Sequence, residues 1–400
     1  MNPITPSNRL VGLRESVIRE MTRLAIQHNA INLSQGFPDF SPHPEIIAAA
    51  HRALDEGFNQ YAVTWGVPAL REAIQAYLQK WYGLEYDATH QITVTCGVTE
   101  AIIAALMGIA NAGDEVIIIE PYHENYVAAA VFAGAQPVFV PLVPPHYELD
   151  LDRLRAAFSN KTRAILLNTP HNPTGRVFTQ QELEGVAALC QEFDAVCVTD
   201  EIYDQIIYDG QERGVQRKHI PMATLDGMYE RTITVNGLGK TFALTGWRLG
   251  YACAPESLSQ ALRTVHDFTT ICAPTPLQHA AVAAFQLPDA YLTQLKKDYT
   301  ARRARMLGIL ENAHLRATLP EGTYYVLADF SEWVQVLQGQ GIADDFEFAE
   351  YMTTQVGVAV VPGSSFYKSA DLGKQQIRFA FAKKMETLDA AEERLLRARP

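Results

Sequence analysis

The chain contains 400 residues, of which 48% are hydrophobic and 20% are charged, so it is long and apolar enough to bury a large core. Its 33 basic and 45 acidic residues give a net charge of −12, which argues against nucleic acid or an anionic membrane as a partner. The length predicts two or three domains, or one large domain with an appendage.

The cysteines and the apolar runs favour a cytoplasmic location. The five cysteines are an odd number without a C-x-x-C pair, which indicates buried, reduced thiols. Arg9 and Arg14 are not followed by the apolar segment of a signal peptide. The longest apolar run, 101–110, is about half as long as a membrane span.

Helix-like and strand-like segments alternate along the first two thirds of the chain. A proline at the first turn and a glycine at the end predict helices over 44–57 and 68–83. Thr179 and Glu182 form a capping-box pattern before a third helix. Continuous apolar runs between the helices predict strands buried on both faces of a mainly parallel sheet, at 116–119, 164–167, 195–198 and 232–235.

The pattern changes at about residue 285. A long helix is predicted over 291–312, and shorter strands are predicted near 323–330 and 376–381. The sequence therefore predicts an α/β protein with a large domain at 46–285. The segments 1–45 and 286–400 are predicted to form a smaller α+β domain.

Polar, turn-rich segments follow the four predicted strands of the large domain. They begin at Glu120, Asn168, Thr199 and Asn236. Because parallel sheets bind ligands beyond the carboxyl ends of their strands, we expect these segments to line one crevice.

Nucleotide and metal motifs do not fit this sequence. The segment 237–241 resembles part of a P-loop, but position 234 is threonine instead of the first glycine. The dinucleotide pattern fails as well, because Phe242 stands where it needs glycine. No histidine or cysteine spacing is typical of a metal site.

The polar residues that remain suit an aldehyde cofactor. A lysine can form a Schiff base with an aldehyde, and a carboxylate can keep a pyridine ring protonated. A helix N-terminus and an arginine can bind a phosphate, and a second arginine can bind a substrate carboxylate. The sequence offers Lys240, Asp200, Tyr203, Asn172, Arg248 and Arg378 for these tasks.

The sequence resembles the class I aminotransferases, which are pyridoxal 5'-phosphate enzymes of fold type I. The segment 237–250, GLGKTFALTGWRLG, fits the lysine signature of that family at every position. The resemblance extends from residue 31 to 381 and is strongest to the branch of kynurenine, glutamine and bacterial methionine aminotransferases. It implies a large domain with a mostly parallel seven-stranded sheet between helices, plus a smaller α+β domain.

The resemblance also implies how the cofactor is held. Lys240 would carry it as a Schiff base and transfer protons, Asp200 would face the pyridine nitrogen, and Tyr203 and Asn172 would hydrogen-bond the ring oxygen. The residues implied for the phosphate are Arg248 and the backbone of Gly97, Val98 and Thr99.

Substrate and partner contacts follow from the same resemblance. Arg378 would bind the substrate α-carboxylate, Gly36 would present its backbone to that carboxylate, and Asn172 would also contact the substrate. Tyr61 matches a tyrosine that reaches the phosphate of the partner subunit, which implies a homodimer with shared active sites.

Two positions depart from the pattern of the family. His123 stands where the family places an aromatic ring on the cofactor, and an imidazole can stack there but can also titrate. Gly237 has no hydroxyl where many relatives have serine, which predicts that one phosphate hydrogen bond is missing or replaced.

The implied reaction is transamination by a ping-pong mechanism. The donor would be an L-amino acid of aromatic, methionine or glutamine type, and the acceptor a 2-oxo acid. N-succinyldiaminopimelate is an alternative substrate, and β-elimination from a cysteine conjugate is an alternative reaction that also uses Lys240.

Overall fold

The computed structural model describes residues 7–10, 12–13, 15–208, 217–337, 342 and 344–398. Arg14 and parts of the predicted smaller domain therefore lie outside the described residues.

Helices and strands alternate through most of the described chain. The helices are α1 (Val17–Gln27), α2 (Pro44–Asp55), α3 (Pro68–Tyr82), α4 (Val98–Ile109), α5 (Asn125–Phe132), α6 (Leu151–Ala157), α7 (Gln180–Glu192), α8 (Leu238–Thr241), α9 (Glu256–Thr269), α10 (Thr275–Phe285), α11 (Ala290–Asn312), α12 (Ser331–Val336), α13 (Asp345–Tyr351) and α14 (Met385–Ala398). The strands are β1 (Ile31–Asn32), β2 (Ile92–Thr95), β3 (Glu115–Glu120), β4 (Gln136–Pro141), β5 (Thr162–Asn168), β6 (Val196–Asp200), β7 (Thr232–Gly237), β8 (Gly250–Cys253), β9 (Arg316–Ala317), β10 (Tyr325–Asp329), β11 (Val358–Ala359), β12 (Val361–Pro362) and β13 (Gln376–Ala380).

A central sheet organises the fold. In the described part of the chain it has seven strands in the order β2–β8–β7–β6–β5–β3–β4. β8 runs antiparallel to both of its neighbours, β2 and β7, so the other six strands of this sheet point in one direction. The predicted α/β fold with a mostly parallel sheet is confirmed, and the four predicted apolar runs lie in or overlap β3, β5, β6 and β7.

The central strands are buried on both faces. Val116 and Ile118 of β3 pack into a core that includes residues of α4 and α5. Ile117 and Ile119 face the opposite core, which includes residues of α6 and α7. Successive side chains of a strand point to opposite faces, so both sets must be apolar. Each such burial contributes about 1.5–3 kcal/mol.

Local signals place the predicted helices correctly. Pro44 and Pro68 open α2 and α3, and Gly83, with a φ of 69°, follows the end of α3. The capping box at α7 is confirmed: Glu182 N donates to Thr179 Oγ1 at 3.2 Å, and Thr179 N donates to Glu182 Oε2 at 2.8 Å. These contacts satisfy backbone donors that the first helical turn leaves unpaired.

A second layer contains strands from the C-terminal part of the chain. β12, β13, β10 and β9 form an antiparallel sheet, and its core includes Met306 of α11 and Leu388 of α14. β1 pairs with β11 in parallel, so the N-terminal segment lies beside the C-terminal part. This pairing is consistent with the predicted division at 46–285, which stays a prediction.

The cysteines are free thiols. Cys190, Cys197 and Cys253 are buried, but Cys96 and Cys272 are only partly buried, so the prediction of buried thiols is wrong for these two. Both lie in connecting segments that border a surface depression. In the described residues, no helix has the length and apolar character that a bilayer span requires.

Candidate active site

The carboxyl ends of four neighbouring strands meet at one edge of the central sheet. β7, β6, β5 and β3 are adjacent, and each is followed by one of the predicted polar segments. A cavity at this edge is lined by residues that include Gly97, Val98, Thr99, His123, Asn172, Tyr203, Lys240 and Arg248. The sheet topology therefore brings most of the predicted site residues together.

Lys240 lies in the short helix α8, directly after β7. Its Nζ donates to the carbonyl oxygen of Gly36 at 3.0 Å, and the Tyr324 hydroxyl donates to the same oxygen at 2.9 Å. The Nζ also lies 5.7 Å from the ring centroid of Tyr203. A Cβ at Gly36 would lie 1.7 Å from the Tyr325 hydroxyl oxygen, so this close approach requires glycine.

Asp200 ends β6 and is buried, and it precedes Ile202 and Tyr203, which line the cavity. The Tyr126 hydroxyl donates to its Oδ2 at 2.6 Å, and the backbone N–H of Ile202 donates to Oδ1 at 3.3 Å. Burial raises the pKa of Asp200 from 3.8 to about 6, although both hydrogen bonds oppose the shift. The carboxylate is therefore fixed in position and lacks a full counter-charge.

Two phenols meet beside the lysine. The Tyr203 hydroxyl donates to the Tyr325 hydroxyl oxygen at 3.2 Å. Burial raises the pKa of Tyr203 well above its usual value. Burial is the largest single influence on Tyr325 and acts in the same direction. The charges of Lys240 and Arg378 and the hydrogen bonds with Tyr203 and Tyr324 together outweigh it, so the pKa of Tyr325 is lowered. Tyr203 is thus held protonated and available as a hydrogen-bond donor.

Arg378 lies in β13 and is buried, with 1% of its surface exposed. Its Nη1 donates to Asn172 Oδ1 at 3.0 Å, and its Nη2 donates to the carbonyl oxygen of Ser34 at 2.7 Å. Its Nε has no hydrogen-bond partner among the described residues. A guanidinium in this state can bind an anion, because unpaired buried donors are costly.

The N-terminus of α4 and Arg248 form the opposite end of the cavity. Gly97 precedes α4 with a φ of 84°, and a Cβ there would lie 2.5 Å from Arg248 Nη2. The first N–H groups of a helix have no intrahelical partner, and they carry a partial positive charge. This end can therefore bind a phosphate through Val98, Thr99 and the guanidinium.

His123 lies in the cavity and is uncharged at neutral pH. Burial, reinforced by the charges of Arg378 and Lys240, lowers its pKa from 6.5 to about 3. Its Nε2 lies 3.2 Å from Asn125 Nδ2, and its Nδ1 has no partner among the described residues. In the cofactor-free protein this lowered pKa favours the uncharged imidazole at neutral pH, while its stacking on the cofactor stays a prediction.

Tyr61 does not lie in this cavity. Its surface is 79% exposed, and it borders a surface depression with Cys96 and Thr270. Cys96 directly precedes Gly97, so Tyr61 lies near the phosphate end but on the outside of the chain.

Gly237 faces another glycine across β7 and β8. It is paired with Gly250, and a Cβ at 237 would lie 2.9 Å from the carbonyl oxygen of Leu249. A Cβ at 250 would lie 2.6 Å from the carbonyl carbon of Gly97. The missing serine hydroxyl therefore has a steric reason, although a missing phosphate hydrogen bond stays a prediction.

Sequence reasoning assigned no role to several polar groups of the site. Tyr126 donates to Asp200, Asn168 Oδ1 accepts from the backbone N–H of Asn172 at 2.7 Å, and Ser34 accepts from Arg378. Tyr324 and Tyr325 approach Gly36. The position of Asn168 at the end of a predicted strand indicates a site residue. The contact between Tyr126 and Asp200 has no signal in the sequence, because the two residues are 74 positions apart.

Comparisons with known proteins identify the family. A sequence profile of aminotransferase class I and II matches residues 28–395. Human kynurenine–oxoglutarate transaminase 3 is 36% identical over 416 residues, which cover 97% of this chain and 89% of the relative. The chain therefore belongs to the class I and II aminotransferases and is a transferase that depends on pyridoxal phosphate.

Solved structures support the same assignment. The N-succinyldiaminopimelate aminotransferase of Mycobacterium tuberculosis is 37% identical, with a TM-score of 0.92 and coverage of 98% of this chain and 99% of that chain. An Escherichia coli protein with a methionine aminotransferase function is 35% identical, with a TM-score of 0.90 and coverage of 99% and 100%. The predicted family and fold are thus confirmed, while these relatives differ in substrate.

The residues of the cavity fit pyridoxal phosphate along its length. Asp200 suits the pyridine nitrogen, because a cation there would neutralise a buried carboxylate. Lys240 suits the aldehyde, and the α4 N-terminus with Arg248 suits the phosphate.

We expect Asp200→Asn to separate stability from cofactor binding. Because folding raises the pKa of Asp200 from 3.8 to about 6, the ionised carboxylate destabilises the cofactor-free protein as the pH rises through this window. At pH 7.5 the cofactor-free variant should be more stable than the wild type by about 3 kcal/mol, and below pH 3.8 this gain should vanish. Urea denaturation of both proteins at several pH values measures the difference.

The same variant should bind pyridoxal phosphate more weakly, as measured by fluorescence titration. Asp204→Asn is the matched control, since Asp204 is also buried but accepts hydrogen bonds from Tyr77 and Tyr82 outside the cavity. It should leave cofactor affinity unchanged. Equal stabilities of wild type and Asp200→Asn at pH 7.5 would show that the Asp200 carboxylate does not destabilise the cofactor-free protein.

Gly97→Ala should reduce cofactor affinity. The added Cβ would meet Arg248 Nη2 at 2.5 Å, and a φ of 84° strains any side chain. We expect at least a roughly ten-fold higher dissociation constant for pyridoxal phosphate, which corresponds to about 1.4 kcal/mol. Gly308→Ala in α11 is the control, because its Cβ has no heavy atom within 4 Å. Unchanged affinity in Gly97→Ala would show that this turn does not hold the phosphate.

Proposed function

We propose that this aminotransferase moves the amino group of an L-amino acid with an aromatic, methionine-like or glutamine-like side chain to a 2-oxo acid. The observation that carries the proposal is the buried Arg378 and its orphaned Nε, placed beside the cavity that contains Lys240. An α-amino acid carries an amine and a carboxylate on one carbon. Arg378 would bind the carboxylate, and the cofactor held by Lys240 would receive the amine.

The residues divide the work between cofactor and substrate. Pyridoxal phosphate, when bound, supplies an aldehyde for amines and a ring that withdraws electrons from the substrate carbon. Lys240 Nζ would hold the cofactor, take the proton from the substrate α-carbon and return it during the transfer. Tyr203 would donate a hydrogen bond to the ring oxygen, and Asp200 would balance the charge on the ring nitrogen.

Arg378 and Asn172 would orient the substrate. The guanidinium is held by Asn172 and Ser34, so its direction is set before the substrate binds. Such preorganisation avoids the loss of side-chain freedom on binding. The carbonyl oxygen of Gly36 holds the free lysine amine in the same region, so the substrate carboxylate and the lysine would be positioned together.

The side-chain preference is supported by the relatives, because human kynurenine–oxoglutarate transaminase 3 and the Escherichia coli protein are named for kynurenine and methionine. Burial lowers the pKa of His123 to about 3, so this ring gives no counter-charge to a second substrate carboxylate at neutral pH. N-succinyldiaminopimelate is the second candidate, because the Mycobacterium tuberculosis structure with 37% identity is named for that substrate.

A donor panel tests the substrate class. The holoenzyme is mixed in single turnovers with phenylalanine, kynurenine, methionine, glutamine, aspartate and N-succinyldiaminopimelate, while the cofactor absorbance is followed. We expect kcat/KM for the best aromatic, methionine or glutamine donor to exceed that for aspartate by at least about a hundred-fold, or about 2.7 kcal/mol. Preference for N-succinyldiaminopimelate would overturn the proposed donor class in favour of the second candidate.

Two controls distinguish the type of reaction from the choice of substrate. Pyridoxamine phosphate should accumulate without an acceptor, whereas pyruvate and ammonia from a cysteine conjugate would indicate β-elimination as the main reaction. Arg378→Lys keeps the charge but loses the fork geometry, and it should raise KM for all donors alike.

We also propose a homodimer in which Tyr61 completes the partner's site. Tyr61 lies outside its own cavity near the phosphate end, and Phe268 and Ile271 are 87% and 48% exposed. Large exposed apolar groups indicate an interface, and a two-fold axis beside them would place each Tyr61 near the other phosphate end. A cytoplasmic location is likewise a proposal, supported by the free cysteines.

Mixed dimers test this arrangement. Tyr61→Ala and Lys240→Ala chains with different tags are coexpressed, and the heterodimer is purified. One of its two sites then combines an intact Lys240 with the partner's intact Tyr61, so activity should rise to about half that of wild type and well above either homodimer. A Lys240→Ala chain that also carries Tyr61→Ala is the control and should restore nothing. Absence of a gain in the first heterodimer would contradict a shared site.

A further inference from the structure

A second cavity lies behind the segment that carries Lys240. Its volume is about 390 Å³, and it is bordered by α3, the C-terminal end of α10 and the start of α11. None of its lining residues lines the cavity that contains Lys240. The volume is within the range of small-molecule sites in proteins.

Aromatic rings form much of the wall. Phe285 packs edge-on against Tyr77 and Phe242, with ring centroids 5.4 and 5.6 Å apart. Phe242 stacks on Tyr291 at 5.7 Å. Trp81 adds a ring that is 38% exposed. Ring faces attract cations through their quadrupole, and aromatic cages with this composition suit ammonium groups.

The space arises because α3 presents small side chains here. Ala69, Ala73 and Ala76 all border the cavity. Residues at these spacings share one face of a helix, so the face lacks the bulk needed to fill the gap between α3 and the rings.

The charged residues at the cavity make it acidic. Its charged lining residues are Glu72, Asp289 and Lys80, which give a net charge of −1. Lys80 pairs with Asp289 and lies 5.3 Å from the Trp81 ring centroid. Glu72 has no ion-pair partner among the described residues. Lys80 thus shows that a cation is accommodated beside the Trp81 ring, and Glu72 leaves one negative charge without an ion-pair partner among the described residues.

We propose that this cavity binds a small organic cation, with an apolar or aromatic body against the rings and an ammonium group near Glu72 and Asp289. The Tyr291 hydroxyl donates to the carbonyl oxygen of Thr241 at 2.7 Å, and Phe242 is two residues beyond Lys240. The occupant would therefore contact the segment that follows the catalytic lysine. The proposal does not depend on which amino acid the enzyme uses.

Isothermal titration calorimetry of the holoenzyme with benzyltrimethylammonium tests the site. This probe is a permanent cation that cannot condense with an aldehyde. We expect one binding site per chain and weaker binding of benzenesulfonate, which has a similar ring with the opposite charge. Equal affinity for the two ions would overturn the proposal, as would no binding of the cation.

Variants at the rim locate the bound cation. Ala76→Trp fills the cavity from α3 and should weaken binding by at least about ten-fold. Gln79→Trp adds the same ring to the same helix outside the cavity and should leave affinity unchanged. Glu72→Gln should weaken binding by about two- to five-fold, and Lys80→Met should strengthen it by a similar factor. Binding that Ala76→Trp leaves intact would place the cation elsewhere and overturn the proposal.

Discussion

Parallel pairing of β5, β6 and β7 is the constraint on which the candidate active site depends. In this register Asn168 lies opposite Asp200, and Asp200 lies opposite Val235, two residues before the end of β7. A slip of one residue would turn Asp200 towards the opposite face of the sheet. The register is well fixed because apolar side chains pack into cores on both faces, and such a slip would exchange both sets. Packing far from the cavity therefore aligns the candidate catalytic groups at its edge.

The site maintains charges in a region where water is largely excluded. Asp200 and Arg378 are both buried, and each receives or donates hydrogen bonds that orient it without neutralising it. Buried charges of this kind destabilise the ligand-free protein, because their hydrogen bonds offset only part of the free energy lost on desolvation. The same groups bind a charged ligand strongly, since they require little rearrangement. Neutral His123 fits this pattern, because a third cation beside Lys240 and Arg378 would repel both.

The parts of the site that could be predicted from sequence are those that depend on neighbours along the chain. Lys240 and Arg248 belong to one continuous signature, and Asp200 directly follows an apolar run. The bond between Tyr126 and Asp200 spans 74 residues, and the bond between Lys240 and Gly36 spans 204. No periodicity encodes such pairs, because they arise only when separate segments pack. The reversed direction of β8 was missed for a related reason: four residues, Gly250–Cys253, have no local signal of strand direction.

The facing glycines of β7 and β8 limit how this sequence can evolve. Gly237 approaches the backbone of β8, and Gly250 approaches the turn at Gly97, so three backbone segments lie close together. A serine at 237 would place its Cβ 2.9 Å from the carbonyl oxygen of Leu249, so β8 would have to shift, and its contact with the turn before α4 would shift with it. A chain that carries serine here would therefore need a wider spacing between β7 and β8. The glycine thus links the spacing of two strands to the position of the turn that borders the cavity.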